Sequence, residues 1–222
     1  MHTVFRVNAI KQIDNKKQLY QVELELTSDD DQQLRLLTDR IRKEADGTGW
    51  QRLGKLLVTI GQFNKAEELY NVLLEQTLDD SEKALYYNQL GSIHRNQGDY
   101  EYAIWSHEKA LEIREKTLPS NHPNLAISYN NIGSVYDNMG EYSRALLSHG
   151  EALEIREKTL PSNHPSLAAS YNNIGSVYYN MNDYSKALSY FEHALDIFQR
   201  ALPPTHPNIK NVKNSIEVVK KK

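Results

Sequence analysis

Cysteine is absent from the 222 residues. That excludes a disulfide-stapled fold and leaves no thiol to serve as nucleophile or metal ligand. No apolar run approaches the roughly 20 residues that a bilayer-spanning helix needs. No Asn-x-Ser/Thr acceptor occurs, and the opening "MHTVFRVNAI" has neither the charged start nor the long apolar core of a signal peptide. A soluble, cytoplasmic protein without membrane partners is expected. An excess of basic charge is missing too. Lys and Arg number 26 against 29 Asp and Glu, for a net charge of -3, so the footprint of a nucleic-acid binder is not there. With 10 glycines and 7 prolines the chain is neither collagenous nor a flexible linker. Hydrophobic residues make up only 39%, so they must be placed economically.

What the chain has in abundance is itself. "SYNNIGSVY" stands at Ser128–Tyr136 and again at Ser170–Tyr178. "ALEIREKTLPSNHP" stands at Ala110–Pro123 and recurs letter for letter at Ala152–Pro165, and "ALDIFQRALPPTHP" at Ala194–Pro207 is a drifted third copy. The period is 42 residues, and Ala84, Ala126 and Ala168 open the three units. A shorter, weaker unit, Gly49–Gln76, precedes them. A fixed period of this length is the mark of a stacked repeat architecture.

Each unit reads as two helices. Tyr87, Leu90, Ile93 and His94 recur at helical spacing. Gly61, Gly98 and Gly140 stand where first helices should stop, with Asn182 in the last unit, because these residues tolerate the left-handed conformation of a C-terminal cap. Asp99 is expected to cap the second helix, and Pro123, Pro165 and Pro207 suit first-turn positions that need no N–H donor. Gly54, Gly91, Gly133 and Gly175 on first helices and Ala66, Ala103, Ala145 and Ala187 on second helices suggest small residues facing one another at a close crossing. Ala110, Ala152 and Ala194 should accept the next unit, with Phe63, Tyr100, Tyr142 and Tyr184 filling the wedge between helices.

This pattern resembles the tetratricopeptide repeat, and "YNNIG-x-VY" with "ALEIREKTLP" is most similar to the repeats of kinesin light chains. The resemblance covers Gly49 to about Pro207 and implies a mainly α fold, an α-α superhelix. The heptad coiled coil of that family is missing from these residues, so binding to a motor heavy chain is not implied. First helices line the concave face of such a superhelix. With Tyr129 and Ile132 directed to the core, Asn130 and Asn131 fall on the groove side, as do Asn172 and Asn173, with Asn88 and Gln89 in the unit before. Asn96, Asn138 and Asn180 follow farther along. A carboxamide offers donors and an acceptor, so a row of them can hold the backbone of an extended peptide. The resemblance implies that role here. Arg95, Asp137 and Tyr179 share one position in successive units and differ, so they would supply specificity. The expected function is a non-enzymatic adaptor or scaffold that binds a protein or peptide partner, an extended peptide or a partner helix, in the concave groove, with no cofactor.

The first residues are of another kind. In "QLYQVELELT", Tyr20, Val22, Leu24 and Leu26 alternate with polar residues, as in a half-buried strand. "TVFRV" and "AIKQI" are two further short strand candidates, Asp14–Lys17 a turn, and "SDDDQQLRLLTDRIRKE" a helix start capped by Ser28 or Asp29. Residues Met1–Thr27 resemble the end of an arginine-type mono-ADP-ribosyltransferase domain. That resemblance implies an alternative: the tail of an NAD-dependent enzyme, without its active site. The expected organisation is a β segment at 1–28, a linking helix at 29–48, repeats at 49–83, 84–125, 126–167 and 168–207, and a capping helix at 208–222.

Other signals yield to simpler readings. Glu23-Leu24-Glu25 imitates the paired glutamates of the transferase but follows from strand alternation. Gly49-x-x-x-x-Gly54-Lys55 imitates a phosphate-binding loop, yet Leu56 replaces the Ser or Thr that would hold magnesium. His122, His164 and His206 recur at the repeat period as loop residues rather than metal ligands, and His107 and His149 should be half-buried and hydrogen-bonded on second helices. No catalytic residue and no metal site is expected.

Overall fold

The computed structural model describes residues 5–14, 19–26 and 49–222, the first two segments through their backbone alone. The chain divides into two compact units, Met1–Gln62 and Phe63–Lys222. The division runs through the weakest of the four repeats.

In the first unit, strands β1 (Phe5–Asp14) and β2 (Leu19–Leu26) pair antiparallel, from Phe5 opposite Leu26 to Asp14 opposite Leu19. Phe5–Val7 of the candidate "TVFRV" and the candidate "AIKQI" thus lie on one continuous strand, since Asn8 between them continues the extended backbone. The register shifts between Val7 and Ala9 and between Gln12 and Asp14. The expected linking helix at 29–48 and its caps lie outside the described residues. Helix α1 (Gly49–Thr59) also belongs to this unit, and Gly61 ends it at φ 75°.

The second unit is built of helices alone among the described residues: α2 (Phe63–Gln76), α3 (Asp80–Gln97), α4 (Tyr100–Thr117), α5 (Pro123–Met139), α6 (Tyr142–Thr159), α7 (Pro165–Asn180), α8 (Tyr184–Ala201) and α9 (Pro207–Val219). Local chemistry sets their ends. Gly98, Gly140 and Asn182 adopt φ of 83°, 77° and 63°, the left-handed region that few residues other than glycine and asparagine enter readily. Asp99 accepts from the backbone N–H of Tyr102. Pro123, Pro165 and Pro207 open helices, and the histidine before each is the cap: Nδ1 of His122, His164 and His206 accepts from Asn124, Ser166 and Asn208 N–H at 3.1, 3.1 and 3.2 Å.

Consecutive helices pair as antiparallel hairpins, and the hairpins stack. α3 packs on α4, α5 on α6 and α7 on α8, while α4 meets α5, α6 meets α7 and α8 meets α9. First helices also touch first helices of the next unit, α3 against α5 and α5 against α7. That is the arrangement of a solenoid whose inner face is formed by first helices. Ala103, Ala110, Ala145, Ala152, Ala187 and Ala194 are fully buried at the crossings. Ile209, Val212, Ile216 and Val219 of α9 close the last repeat.

Three expectations about packing need correction. The small residues do not face each other. Gly91, Gly133 and Gly175 lie against the rings of His107, His149 and Phe191, so close that a Cβ would stand 2.7–2.9 Å from ring atoms. The two histidines are not half-buried and hydrogen-bonded but buried, with Nδ1 lacking a partner, because the ring replaces the missing glycine side chain. Tyr129 reaches only the edge of the core: its half-buried ring packs against the cluster of Leu125, Ala126, Ala152 and Ile155 while its hydroxyl donates to Glu115 at 2.9 Å, and Tyr86, not Tyr87, is the buried tyrosine of α3.

One buried charge was not foreseen. Arg114 donates to Ser128 Oγ at 2.6 Å and to the Asn124 carbonyl at 3.3 Å, and Arg156 repeats this with Ser170 at 2.5 Å and the Ser166 carbonyl at 3.3 Å. Forty-two residues on, the pair becomes Phe198 and Val212, both buried in the terminal core. One interface thus exists in a polar and an apolar version within one chain. Arg114→Ala strands the Ser128 hydroxyl and should lower stability by about 2 kcal/mol. R114F/S128V, which copies the apolar version, should recover most of that in a chemical denaturation series. Failure of the pair to recover would mean that the two interfaces differ in backbone geometry.

Candidate functional site

The candidate site is the face on which first helices adjoin. Its spacing follows from the repeat: a residue and its counterpart in the next unit are 42 apart, so a side chain reaching one residue farther meets its neighbour across the seam. Three hydrogen bonds have this form. Asn131 Nδ2 donates to Asn88 Oδ1 at 2.8 Å, Asn173 Nδ2 donates to Asn130 Oδ1 at 2.8 Å, and Asn180 Nδ2 donates to Asp137 Oδ1 at 2.9 Å. Asn88, Gln89, Asn130, Asn131, Asn172 and Asn173 are half-buried, whereas Asn96, Asn138 and Asn180 are exposed.

The asparagines are therefore coupled, not isolated. Within a unit one amide reaches back and the other is reached from ahead. Each amide carries two donors and an acceptor with two lone pairs. The NH2 groups of Asn88 and Asn130 are not used in the ladder, nor are the oxygens of Asn131 and Asn173. Gln89 and Asn172 stand at the two ends of the ladder; opposite Asn172 the next unit carries Ser215, which bonds its own helix at the Asn211 carbonyl. The arrangement can present donors and acceptors at regular intervals along the seam.

The flanking charges are placed on the same face. Asp137 is half-buried, and its carboxyl is raised above the usual range by burial, partly offset by the Asn180 hydrogen bond. Arg95 is half-buried at the equivalent place on α3. Tyr179 packs on Tyr184 with the rings tilted at 58° and their centroids 5.7 Å apart. Asn96 and Asn138 make no side-chain bond across the seam among the described residues, so of the three late asparagines only Asn180 joins the network. A set that sequence reasoning missed is Ser92, Ser134 and Ser176, half-buried on the same face, each donating to the carbonyl of Asn88, Asn130 or Asn172 four residues back at 2.9–3.1 Å. The signal was present in the repeated "NNIGS".

A cavity of about 610 Å³ opens elsewhere, beside Trp105, Tyr102, His94 and Glu67, and none of the ladder residues lines it. Among the described residues no group of three or more His, Asp or Glu could hold a metal ion, and no helix is long and apolar enough to cross a membrane.

The model of a family described as tetratricopeptide repeat matches residues 82–158 and 148–200. None of the curated proteins matches the chain. Among solved structures, the chain is similar to BtubC (BKLC) from P. vanneervenii, with 23% identity over 85% of this chain and 81% of that one, TM-score 0.68. It is similar to a putative kinesin light chain with nearly identical repeats from Podosopora anserina, with 22% identity over 83% and 87% of the two chains, TM-score 0.65. It is also similar to a Rap protein complexed with competence and sporulation factor, with 19% identity over 83% of this chain and 52% of that one, TM-score 0.66. These likenesses concern the fold, and they give no support to the transferase resemblance of the first residues or to a role for NAD.

Proposed function

The chain belongs to the tetratricopeptide repeat family, a fold that commonly mediates protein–protein interaction, and from that premise we propose that it is an adaptor that holds an extended peptide along the seam of its first helices. The observation that carries this reading is the amide ladder. It sets donors and acceptors at one-repeat intervals on a face where the amides remain partly accessible. A backbone in extended form carries N–H and C=O groups that need such partners. That a protein of similar fold is complexed with competence and sporulation factor is in keeping with this. The reading makes the protein a binder rather than an enzyme, at work in the cytoplasm.

The test is a selection of displayed random twelve-residue peptides on the intact chain, followed by affinity measurement on Asn130→Ala and Asn172→Ala. Each substitution should weaken the selected peptides by about tenfold or more. Asn172 stands at the ladder's end, so its loss should leave the melting temperature unchanged, whereas loss of Asn130 strands Asn173 and should cost about 1 kcal/mol. Peptides that bind N172A as well as they bind the parent would place the partner on another face.

A further inference from the structure

Building on that peptide-binding reading, we infer that the occupant of the groove carries an acidic and a basic side chain three residues apart, the first against Arg95 and the second against Asp137. Two observations lead there. Both charges are half-buried on the ladder face, and neither has an ion-pair partner among the described residues; Asp137 is given a single amide hydrogen bond, from Asn180 at 2.9 Å. A carboxylate has room for several donors, and a guanidinium carries five of its own. Elsewhere in the second unit, several charges on second helices are paired along their own helix, as Lys116 is with Glu112 and Lys158 with Glu154, and Arg114 and Arg156 donate to serine hydroxyls and backbone carbonyls. A half-desolvated charge is costly unless an opposite charge or enough hydrogen-bond partners meet it, and among the described residues Arg95 has no side-chain hydrogen bond and Asp137 has one from another residue's side chain. Here the opposite charge has to arrive with the ligand.

The spacing follows from the fold. Arg95 and Asp137 occupy the same position in successive units, on α3 and α5, which touch. Packed helices lie about 8–10 Å apart. A polyproline-type chain advances about 3.1 Å per residue and brings every third side chain to the same side, so residues i and i+3 stand about 9 Å apart and face one way. A pleated strand would turn the third side chain to the opposite face. The asparagine ladder serves the backbone, and Arg95 and Asp137 set the order of charges: reversing the peptide's order places like charges together.

The probes are five fluorescein-labelled twelve-residue peptides in one proline- and alanine-rich background. They carry Glu-x-x-Lys, Lys-x-x-Glu, Glu-x-x-Glu, Lys-x-x-Lys or Gln-x-x-Gln at the centre. Anisotropy titrations at low salt should show one mixed-charge order binding about tenfold more tightly than the glutamine peptide. The double variant R95D/D137R should prefer the other mixed order, a result that a merely stickier peptide cannot produce. Affinities within twofold for all five peptides, lost together in N172A, would leave the groove reading standing and overturn the charge order. Absence of binding by every peptide would overturn both.

Discussion

The repeat array should lose stability as the pH falls below about 6.5, with two buried histidines as the cause. His107 and His149 are 1% and 2% exposed, and their Nδ1 atoms have no partner. Burial holds His107 down at about 3, with Arg95 and Arg114 adding to the effect, and holds His149 at about 4, with Arg156 adding. In the unfolded chain both titrate near 6.5. Between these values the unfolded state binds protons that the folded state refuses, so the contribution runs against folding as pH falls. It begins near 6.5 and is complete near 4 for His149 and near 3 for His107. Each histidine costs about 1.4 kcal/mol per pH unit in its window. By pH 4.5 the two together amount to roughly 5 kcal/mol, the scale of a whole domain's stability. The remedy is already in the chain: Phe191 occupies the same position in the last repeat and packs on Gly175 as the histidines pack on Gly91 and Gly133. H107F/H149F should therefore flatten the profile of melting temperature between pH 7 and 4.5. A double variant as acid-labile as the parent would assign the loss to carboxylates instead.

Replacing Gly133 by alanine should destabilise the array, although alanine is the better helix former. The propensity gain is about 1 kcal/mol. Against it stands a Cβ that would lie 2.9 Å from three atoms of the His149 ring, a contact that forces the ring or the helix to move. Overpacking of this kind costs about 1–3 kcal/mol. At Gly91 the same atom would be 2.7 Å from the His107 ring, so the penalty there is larger. Gly150, on α6, supplies the control: nothing stands within 4 Å of a Cβ there, and Gly150→Ala should stabilise the protein by up to about 1 kcal/mol. The mechanism is isolated by adding His149→Ala to Gly133→Ala. With the ring gone the second methyl has space, so the two effects should fail to add by more than about 1 kcal/mol. Strict additivity in urea denaturation would mean that the ring is not the obstacle.

The legibility of this protein divides along the range of the forces involved. The left-handed caps at Gly98, Gly140 and Asn182 and the prolines opening α5, α7 and α9 could be read in advance, because φ preference and a missing N–H are properties of one residue. The helical pairing followed from the period. The partner of each glycine could not be read. Small residues at matching places suggested a mutual approach of glycine and alanine, but which side chain fills the space depends on helix rotation and crossing angle, and these brought the ring of His107 over Gly91.

The same distinction holds for the candidate site. By itself the sequence determined a tetratricopeptide array, its caps and the face on which its asparagines lie, because identical units in identical order must stack alike. It could not say that Asn131 would bond Asn88 rather than wait for a ligand, that Arg114 would be buried with Ser128, or that Arg95 and Asp137 would stand without ion-pair partners among the described residues. Those outcomes belong to the tertiary structure, because they turn on how far one unit is shifted and rotated against the next. A displacement of a few ångströms decides whether a hydrogen bond at 2.8 Å exists at all.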